Sequence, residues 1–197
     1  MGDPKKIRKS YSTPSHPWLK VRIDEENQIQ REYGTKNKKE IWKMKSFLQN
    51  AKKQAKTIVT LKGEQAEKEK ALLMGKLTRL GFLKEHAELD DVLGLTLKSI
   101  MDRRLQTILK KKGLARTLKQ ARQFIVHNHV KIGNQKITAP SYLVSVEEEQ
   151  SISFDDNSPF ATEDHPERSV VVNEDARKLK ELKKMRRDSA NARGARR

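Results

Sequence analysis

Apolar positions recur with two different periods along this chain, and the change of period divides it. Between Glu40 and Leu61 the residues Ile41, Met44, Leu48, Ala51, Ala55 and Ile58 fall at three- and four-residue steps, one stripe of an amphipathic helix. Lys43, Lys45, Lys52, Lys53 and Lys56 lie off that stripe. Gln65–Leu80 repeats the pattern with Leu73, Leu77 and Leu80 inward, and Gly81 is placed to stop it. Leu89–Leu95, with two acids and Gly94, reads as a short extended or turn segment. Leu97, Ile100, Met101, Leu105, Ile108 and Leu109 then predict one strong amphipathic helix. It should end near Lys112, because Gly113 can take the left-handed conformation that a helix end favours. Lys110, Lys111 and Lys112 fall in its last turn, where positive charge suits the helix dipole.

Thr117-Leu118-Lys119-Gln120 has the form of a capping box, a hydroxyl accepting an amide proton while an amide side chain three residues on reaches back. The helix it opens runs to about Asn128 with Leu118, Ala121, Phe124 and Ile125 inward. The period then shortens to two: Val130 and Ile132 alternate with His129 and Lys131. Gly133-Asn134 supplies a two-residue turn, and the chain returns through Gln135–Thr138. Ile152 and Phe154 alternate again and suit a third strand. The fold class is therefore α+β: an N-terminal helical domain, then a compact domain of two helices packed on a small antiparallel sheet, with basic flexible termini.

Charge sharpens this division. The 197 residues carry a formal net charge of +17, an imbalance that opposes compaction and suits a polyanionic partner. Residues 1–60 hold a net +9, residues 61–100 are neutral and residues 101–142 hold +9. Residues 143–175 reverse to −9, and 176–197 return to +8. Three basic blocks separated by a neutral and an acidic one suggest three contact surfaces. Nucleic acid is the first candidate partner and an anionic membrane surface the second. No apolar run is long enough to span a bilayer, and no leader of the secretory type is visible, so a soluble, internal location is expected. Cysteine is absent, which excludes a disulfide scaffold and a thiolate zinc site.

Met1–Pro17 reads as an unfolded basic arm carrying Lys5, Lys6, Arg8 and Lys9, with Tyr11, His16 and Trp18 as rings able to stack on bases. In the compact region Arg103, Gln106 and Lys110 form a polar stripe, and Lys119, Arg122 and Gln123 a second polar neighbourhood flanked by Gln120 and His127. The start of the second helix also offers amide groups to a phosphate. Glu147–Glu149 and Asp155-Asp156 invite a carboxylate-pair or magnesium reading. No histidine, glycine-rich loop or nucleophile motif accompanies them, so an acidic patch that avoids RNA or docks a basic protein is the better reading. No catalytic residue is expected, and the chain is read as a non-enzyme.

The motifs resemble a known family. Arg103-Arg104-Leu105, Gly113-Leu114-Ala115, Gln120-Ala121-Arg122, His127, Gly133 and Pro140-Ser141-Tyr142 resemble the small RNA-binding domain named for ribosomal small-subunit protein four. Asp3-Pro4-Lys5-Lys6, Thr13-Pro14-Ser15-His16-Pro17-Trp18 and Asn37-Lys38-Lys39-Glu40 resemble the N-terminal region of that ribosomal protein family in its archaeal branch. Leu89–Leu95 and Arg103–Ala115 also look like the eukaryotic counterpart, and the match covers most of residues 1–154.

Charge, periodicity and the resemblance together divide the chain into a basic arm at 1–20, a helical ribosomal domain at 21–96 with a contribution from 145–175, and the compact RNA-binding domain at 97–154. An acidic connector at 155–175 and a basic tail at 176–197 follow. The resemblance implies a structural, cytoplasmic, ribosome-bound protein that binds the 5′ domain of small-subunit rRNA early in assembly. It also implies contact with neighbouring small-subunit proteins, number five among them, a contribution to translational accuracy, and a place near the channel where messenger RNA enters. RNA contacts carried onto matching positions are Arg103, Arg104, Arg116, Thr117, Gln120, Arg122, Gln123, His127, Asn128, His129 and Lys131. Lys110, Lys119 and Tyr142 join them, with Lys5, Lys6, Arg8, Lys9 and Trp18 from the arm. Arginine is weighted above lysine because its planar fork can give a phosphate two parallel bonds.

Some bacterial relatives bind zinc through N-terminal cysteines; with none here, no metal, cofactor, membrane or small-molecule substrate is expected. Two other classes compete. An RNA-modifying enzyme that uses the domain as a targeting arm needs a catalytic domain for which this length leaves no room. A stress factor that binds stalled large-subunit complexes should lack the N-terminal helices.

Overall fold

The lysine-flanked stripes become helices whose apolar faces meet. A computed structural model describes residues 9–61, 63–84, 86–162 and 165. The chain divides into a compact unit reaching Thr162 and a second unit, Glu163–Arg197, of which only His165 is described. The basic tail and most of the acidic connector therefore lie outside the described residues, as do Lys5, Lys6 and Arg8.

Helix α1 spans Lys20–Tyr33 and ends on Gly34, which takes φ 60°. Helix α2, Lys38–Thr60, buries Ile41, Met44, Leu48, Ala51, Ala55 and Ile58, the six stripe positions, together with Ser46. Helix α3, Glu64–Arg79, buries Leu73 and Leu77 against the C-terminal half of α2.

The segment Leu89–Gly94 is helical (α4), not extended. Glu88 and Asp91 form a reciprocal capping box around its first turn, and Val92 inserts, fully buried, among Ala51, Ala55, Leu73 and Leu77. Leu89, Val92 and Leu93 do fall at helical spacing, but the segment is under two turns long and ends in Gly94, so its period is too short to separate from a turn and the cap carried the missing signal.

The single helix expected over 97–112 is broken in two. Helix α5 covers Leu97–Asp102 and α6 covers Leu105–Lys111, with Arg104 extended between them at φ −73°, ψ 141°. Distant backbone captures the break. Leu105 N donates to Tyr142 O at 2.8 Å and Val144 N donates to Arg103 O at 3.1 Å, so Arg104 and Leu143 pair like strand residues. The hydroxyl of Thr107 reaches back to Met101 O at 2.9 Å and satisfies a carbonyl at the end of α5. Apolar spacing stays in phase across the break, which is why periodicity alone reads through it.

Helix α7, Leu118–Val126, follows the turn after α6. Strands β1 (Val130–Ile132), β2 (Gln135–Lys136) and β3 (Ile152–Phe154) form one antiparallel sheet in the order β2-β1-β3. Val130 faces Phe154 and Ile132 faces Ile152. These apolar pairs close over Leu105, Ile108, Leu109, Ala121, Phe124 and Ile125, the shared core of helix pair and sheet. Helix α8, Val146–Gln150, starts on a Ser145–Glu148 capping box and leads into β3. Beyond β3 the chain does not leave the fold at once: Phe160, in the middle of a short 3-10 turn at Pro159–Ala161, packs against Phe124 with ring centroids 4.5 Å apart.

Candidate nucleic-acid interface

The turn between α6 and α7 presents the exposed part of the basic block. Lys110, Lys111 and Lys112 lie exposed at the end of α6, and Arg116, Lys119 and Gln123 are exposed on the loop and α7. The loop is held from inside by Ala115, which is 4% exposed. Thr117 caps α7 by accepting from Gln120 N at 3.2 Å. The Gln120 side chain reaches back one residue further than a capping box requires, accepting from Arg116 N at 2.8 Å. The cap therefore fixes the backbone that carries Arg116.

At the other end of α7, Asn128 takes φ 64°, an orientation its short polar side chain tolerates. His129 N donates to Phe124 O at 3.0 Å and closes the helix. His127 and Asn128 are exposed there. His129 is not: its Nδ1 lies 2.9 Å from Ser158 Oγ, and its ring meets Phe124 and Phe160 edge-on. Burial, with a push from His127 and against the pull of Asp155, holds its pKa below the ordinary histidine value. This neighbourhood gives His129 a packing role.

Arg104 changes most between sequence and structure. Weighted among the leading phosphate ligands, it is 1% exposed, and its guanidinium points inward to the carboxylate of Glu40 on α2. Arg122 approaches the same carboxylate from α7, with Nη2 2.8 Å from Oε1. Burial opposes ionisation of Glu40, but the bonds from Arg122 and Arg104 outweigh it and hold the carboxyl below its ordinary value. Burial also lowers the pKa of Arg104, against which Glu40 acts. The cluster of two guanidiniums and one carboxylate ties the N-terminal helices to the compact motif and retains one net positive charge. The Arg122 side chain keeps 25% exposure.

The acidic segment folds back onto the basic motif. Glu149 on α8 pairs with Arg103 at 2.5 Å, and its carbonyl accepts from Lys112. Asp156 pairs with Lys131 at 2.6 Å and Asp155 with Lys136 at 2.7 Å. Tyr142 donates to Glu148 at 2.7 Å, a bond that raises the phenol's pKa, while its main chain anchors the α5–α6 break. Arg103, Lys131 and Tyr142 thus have internal partners, whereas Lys110 and Lys119 form no ion pair among the described residues. In the arm Lys9 is exposed and the Trp18 ring is 90% exposed. Among the described residues no group of acidic or histidine side chains is arranged to hold a metal, and no helix is long and apolar enough to cross a membrane.

Sequence reasoning missed Glu40 and Gln106. Glu40 reads as a favourable acid in the first turn of a helix, and nothing local marks it as a partner of residues 64 and 82 positions away. Gln106 sits in a polar stripe and looks solvent-facing, yet it is 1% exposed. Its amide donates to Leu118 O at 2.8 Å and Gly34 O at 3.3 Å, joining α7 to the end of α1.

Comparison with known families matches this division. Residues 5–102 match the ribosomal protein S4/S9 N-terminal domain and residues 103–149 match the S4 domain, the two spans meeting at the α5–α6 break. That pairing defines a ribosomal protein built from a helical N-terminal region and an S4 domain. The small ribosomal subunit protein uS4 of Methanococcus aeolicus is 53% identical over 173 residues, 87% of this chain and 98% of that protein. The uS4 of Methanococcus maripaludis (strain C5) is 48% identical over 176 residues, covering 89% and 99%. The chain belongs to the uS4 family of small ribosomal subunit proteins.

Proposed function

We propose that this protein is a structural constituent of the small ribosomal subunit that binds its rRNA directly, with the α6–α7 turn as the principal docking face. One observation carries this reading. The turn leaves Lys110 and Lys119 exposed and without an ion pair among the described residues on a capped helix pair, with Arg116 exposed beside them, while the acidic segment engages Arg103, Lys131 and Lys136. A-form RNA hides its major groove, so phosphates and shape are what a protein meets, and fixed cations suit that surface. Gln123, His127 and Asn128 extend the face with polar contacts, and Lys5, Lys6, Arg8, Lys9 and Trp18 supply an arm that stacks and neutralises beyond it. The finer assignments rest on family resemblance: binding to the 5′ domain, a role early in assembly, contact with protein five, an effect on accuracy, a place where messenger RNA enters, and residence in cytoplasmic ribosomes. The division of labour among arm, helical domain, compact domain, connector and tail is part of the same proposal and rests on charge pattern as well as resemblance.

Titration of the full chain with small-subunit rRNA at several salt concentrations tests the reading. Counterion release predicts an affinity that falls steeply with salt. Lys110→Gln with Arg116→Gln should lower the slope of log K against log salt by about 1.4, at roughly 0.7 per phosphate contact. Equal affinity at low and high salt refutes the reading, and sedimentation of the native protein with the large subunit would favour the stress-factor class.

A further inference from the structure

We infer that the acidic segment running from α8 to the residues just after β3 sets the RNA specificity of this protein: Glu149, Asp155 and Asp156 mask Arg103, Lys131 and Lys136 and so confine RNA to the α6–α7 turn. The inference rests on the rRNA reading above and deepens it, by naming the residues that decide where RNA does not bind.

The masked cations are placed as a phosphate site would need them. Lys131 and Lys136 lie directly opposite one another on β1 and β2, so both side chains leave the same face of the sheet. Like charges at that spacing repel, and an anion beside them relieves the repulsion. The chain supplies that anion itself. Strand β3 pairs with the other edge of β1, and the two residues that follow it, Asp155 and Asp156, reach Lys136 at 2.7 Å and Lys131 at 2.6 Å. On the helical side Glu149 reaches Arg103 at 2.5 Å, and its main-chain carbonyl accepts from Lys112. A carboxylate and a phosphodiester offer these side chains the same group, a negative oxygen that accepts a charge-assisted bond. The segment therefore occupies positions that an RNA strand would otherwise take.

Folding alone does not explain the pairs. The Asp156 side chain is 86% exposed and that of Lys136 is 50% exposed, and ion pairs in such surroundings contribute little to stability. Other bonds seat the segment. The Tyr142 hydroxyl donates to Glu148, Gly133 N donates to Ser151 O at 3.1 Å, and Asp155 N donates to His129 O at 2.8 Å. The backbone thus presents the three carboxylates whether or not they are charged. A loose strand that reaches Lys131 must displace a tethered carboxylate, whose effective concentration is high. It also releases fewer counterions in doing so. Lys110 and Lys119, without an ion pair among the described residues, carry no such cost.

The test compares polyuridylate with small-subunit rRNA, each titrated against the full chain. The variant Glu149→Gln, Asp155→Asn, Asp156→Asn should bind polyuridylate about tenfold more tightly at low salt, with a salt slope steeper by about 2 at roughly 0.7 per unmasked cation. Its affinity for rRNA should rise far less. Glu64→Gln, Glu67→Gln, Glu69→Gln on α3 changes the net charge by the same amount and should not reproduce the gain. Lys131→Gln with Lys136→Gln should leave polyuridylate binding unchanged in the wild-type chain and lower it in the neutralised one, a coupling that a purely additive charge effect lacks. Equal gains for both RNAs, or an equal gain from the α3 variant, overturn the inference. So does a lowered melting temperature with both affinities held, the behaviour of plain structural ion pairs. In the wild-type chain, a loss from the Lys131, Lys136 variant as large as that from Lys110→Gln with Lys119→Gln overturns it too, and that comparison does not depend on the neutralised variant folding. In each of these cases a steep salt dependence of wild-type rRNA binding leaves the reading of the α6–α7 turn standing. If the wild-type chain shows no salt-dependent binding, both fall together.

Discussion

Glu40→Ala removes the one carboxylate that compensates Arg104. The guanidinium of Arg104 is 1% exposed and its other side-chain contact is a weak one from Nη1 to Met101 Sδ at 3.9 Å, so the variant leaves a buried cation with almost no partner. Breaking a buried pair by deleting one member costs ~3–5 kcal/mol, and Glu40, still 16% exposed, places this site toward the lower figure. Against a total stability of ~5–15 kcal/mol for a domain, that is a large fraction. The contrast is Glu32→Ala. Glu32 pairs with Lys98 between side chains 42% and 55% exposed, and a pair of that kind contributes ~0–1 kcal/mol. Urea unfolding of the full chain, followed by far-ultraviolet circular dichroism, measures both. Glu40→Leu combined with Arg104→Met should recover most of the loss, because the isolated charge disappears with its partner. The pH dependence gives an independent reading. The folded carboxyl of Glu40 sits below its ordinary 4.5, so its contribution is present above that pH and is lost as pH falls through the folded value. Glu40→Ala should therefore flatten the acid limb of the stability curve. A Glu40→Ala loss no larger than that of Glu32→Ala refutes the view that this cluster holds the N-terminal helices to the S4 domain.

The joint at Gln106 and the histidine behind α7 give two further tests. Gln106→Leu keeps the volume but strands the carbonyls of Gly34 and Leu118, and should cost ~1–3 kcal/mol in the same urea titration, with no loss a sign that the amide is incidental. The folded pKa of His129 lies below its ordinary value, so the neutral ring is favoured by folding. Its contribution is present above the unfolded value and fades as pH falls through the folded one, and an NMR titration should show His129 protonating at lower pH than it does in the Ser158→Ala, Phe160→Ala variant, where exposure removes the shift.

Much of the architecture was legible along the chain because it depends on neighbours a few residues apart. The stripe of α2, the cap at Thr117, the Gly133-Asn134 turn and the alternation in β1 and β3 are local patterns, and each appears where spacing places it. The basic character of the S4 region and the reversed charge after it were equally visible, since charge needs no fold to be counted. What spacing could not show is which charges meet. Arg104 and Arg122 look alike in sequence, but the strand-like pairing of Arg104 with Leu143 turns the first inward, while α7 leaves the second at the mouth of a cleft. The acids after residue 143 read as a separate patch until α8 and β3 bring Glu149 to Arg103 and β3 leads Asp156 to Lys131. The chain by itself therefore determined that the partner is polyanionic, and its motifs that it is RNA, because charge, local periodicity and motif spacing survive without tertiary contacts. Only the tertiary structure decided which cations remain available to that partner, because a long-range ion pair or a buried amide is a property of two segments brought together and of neither alone.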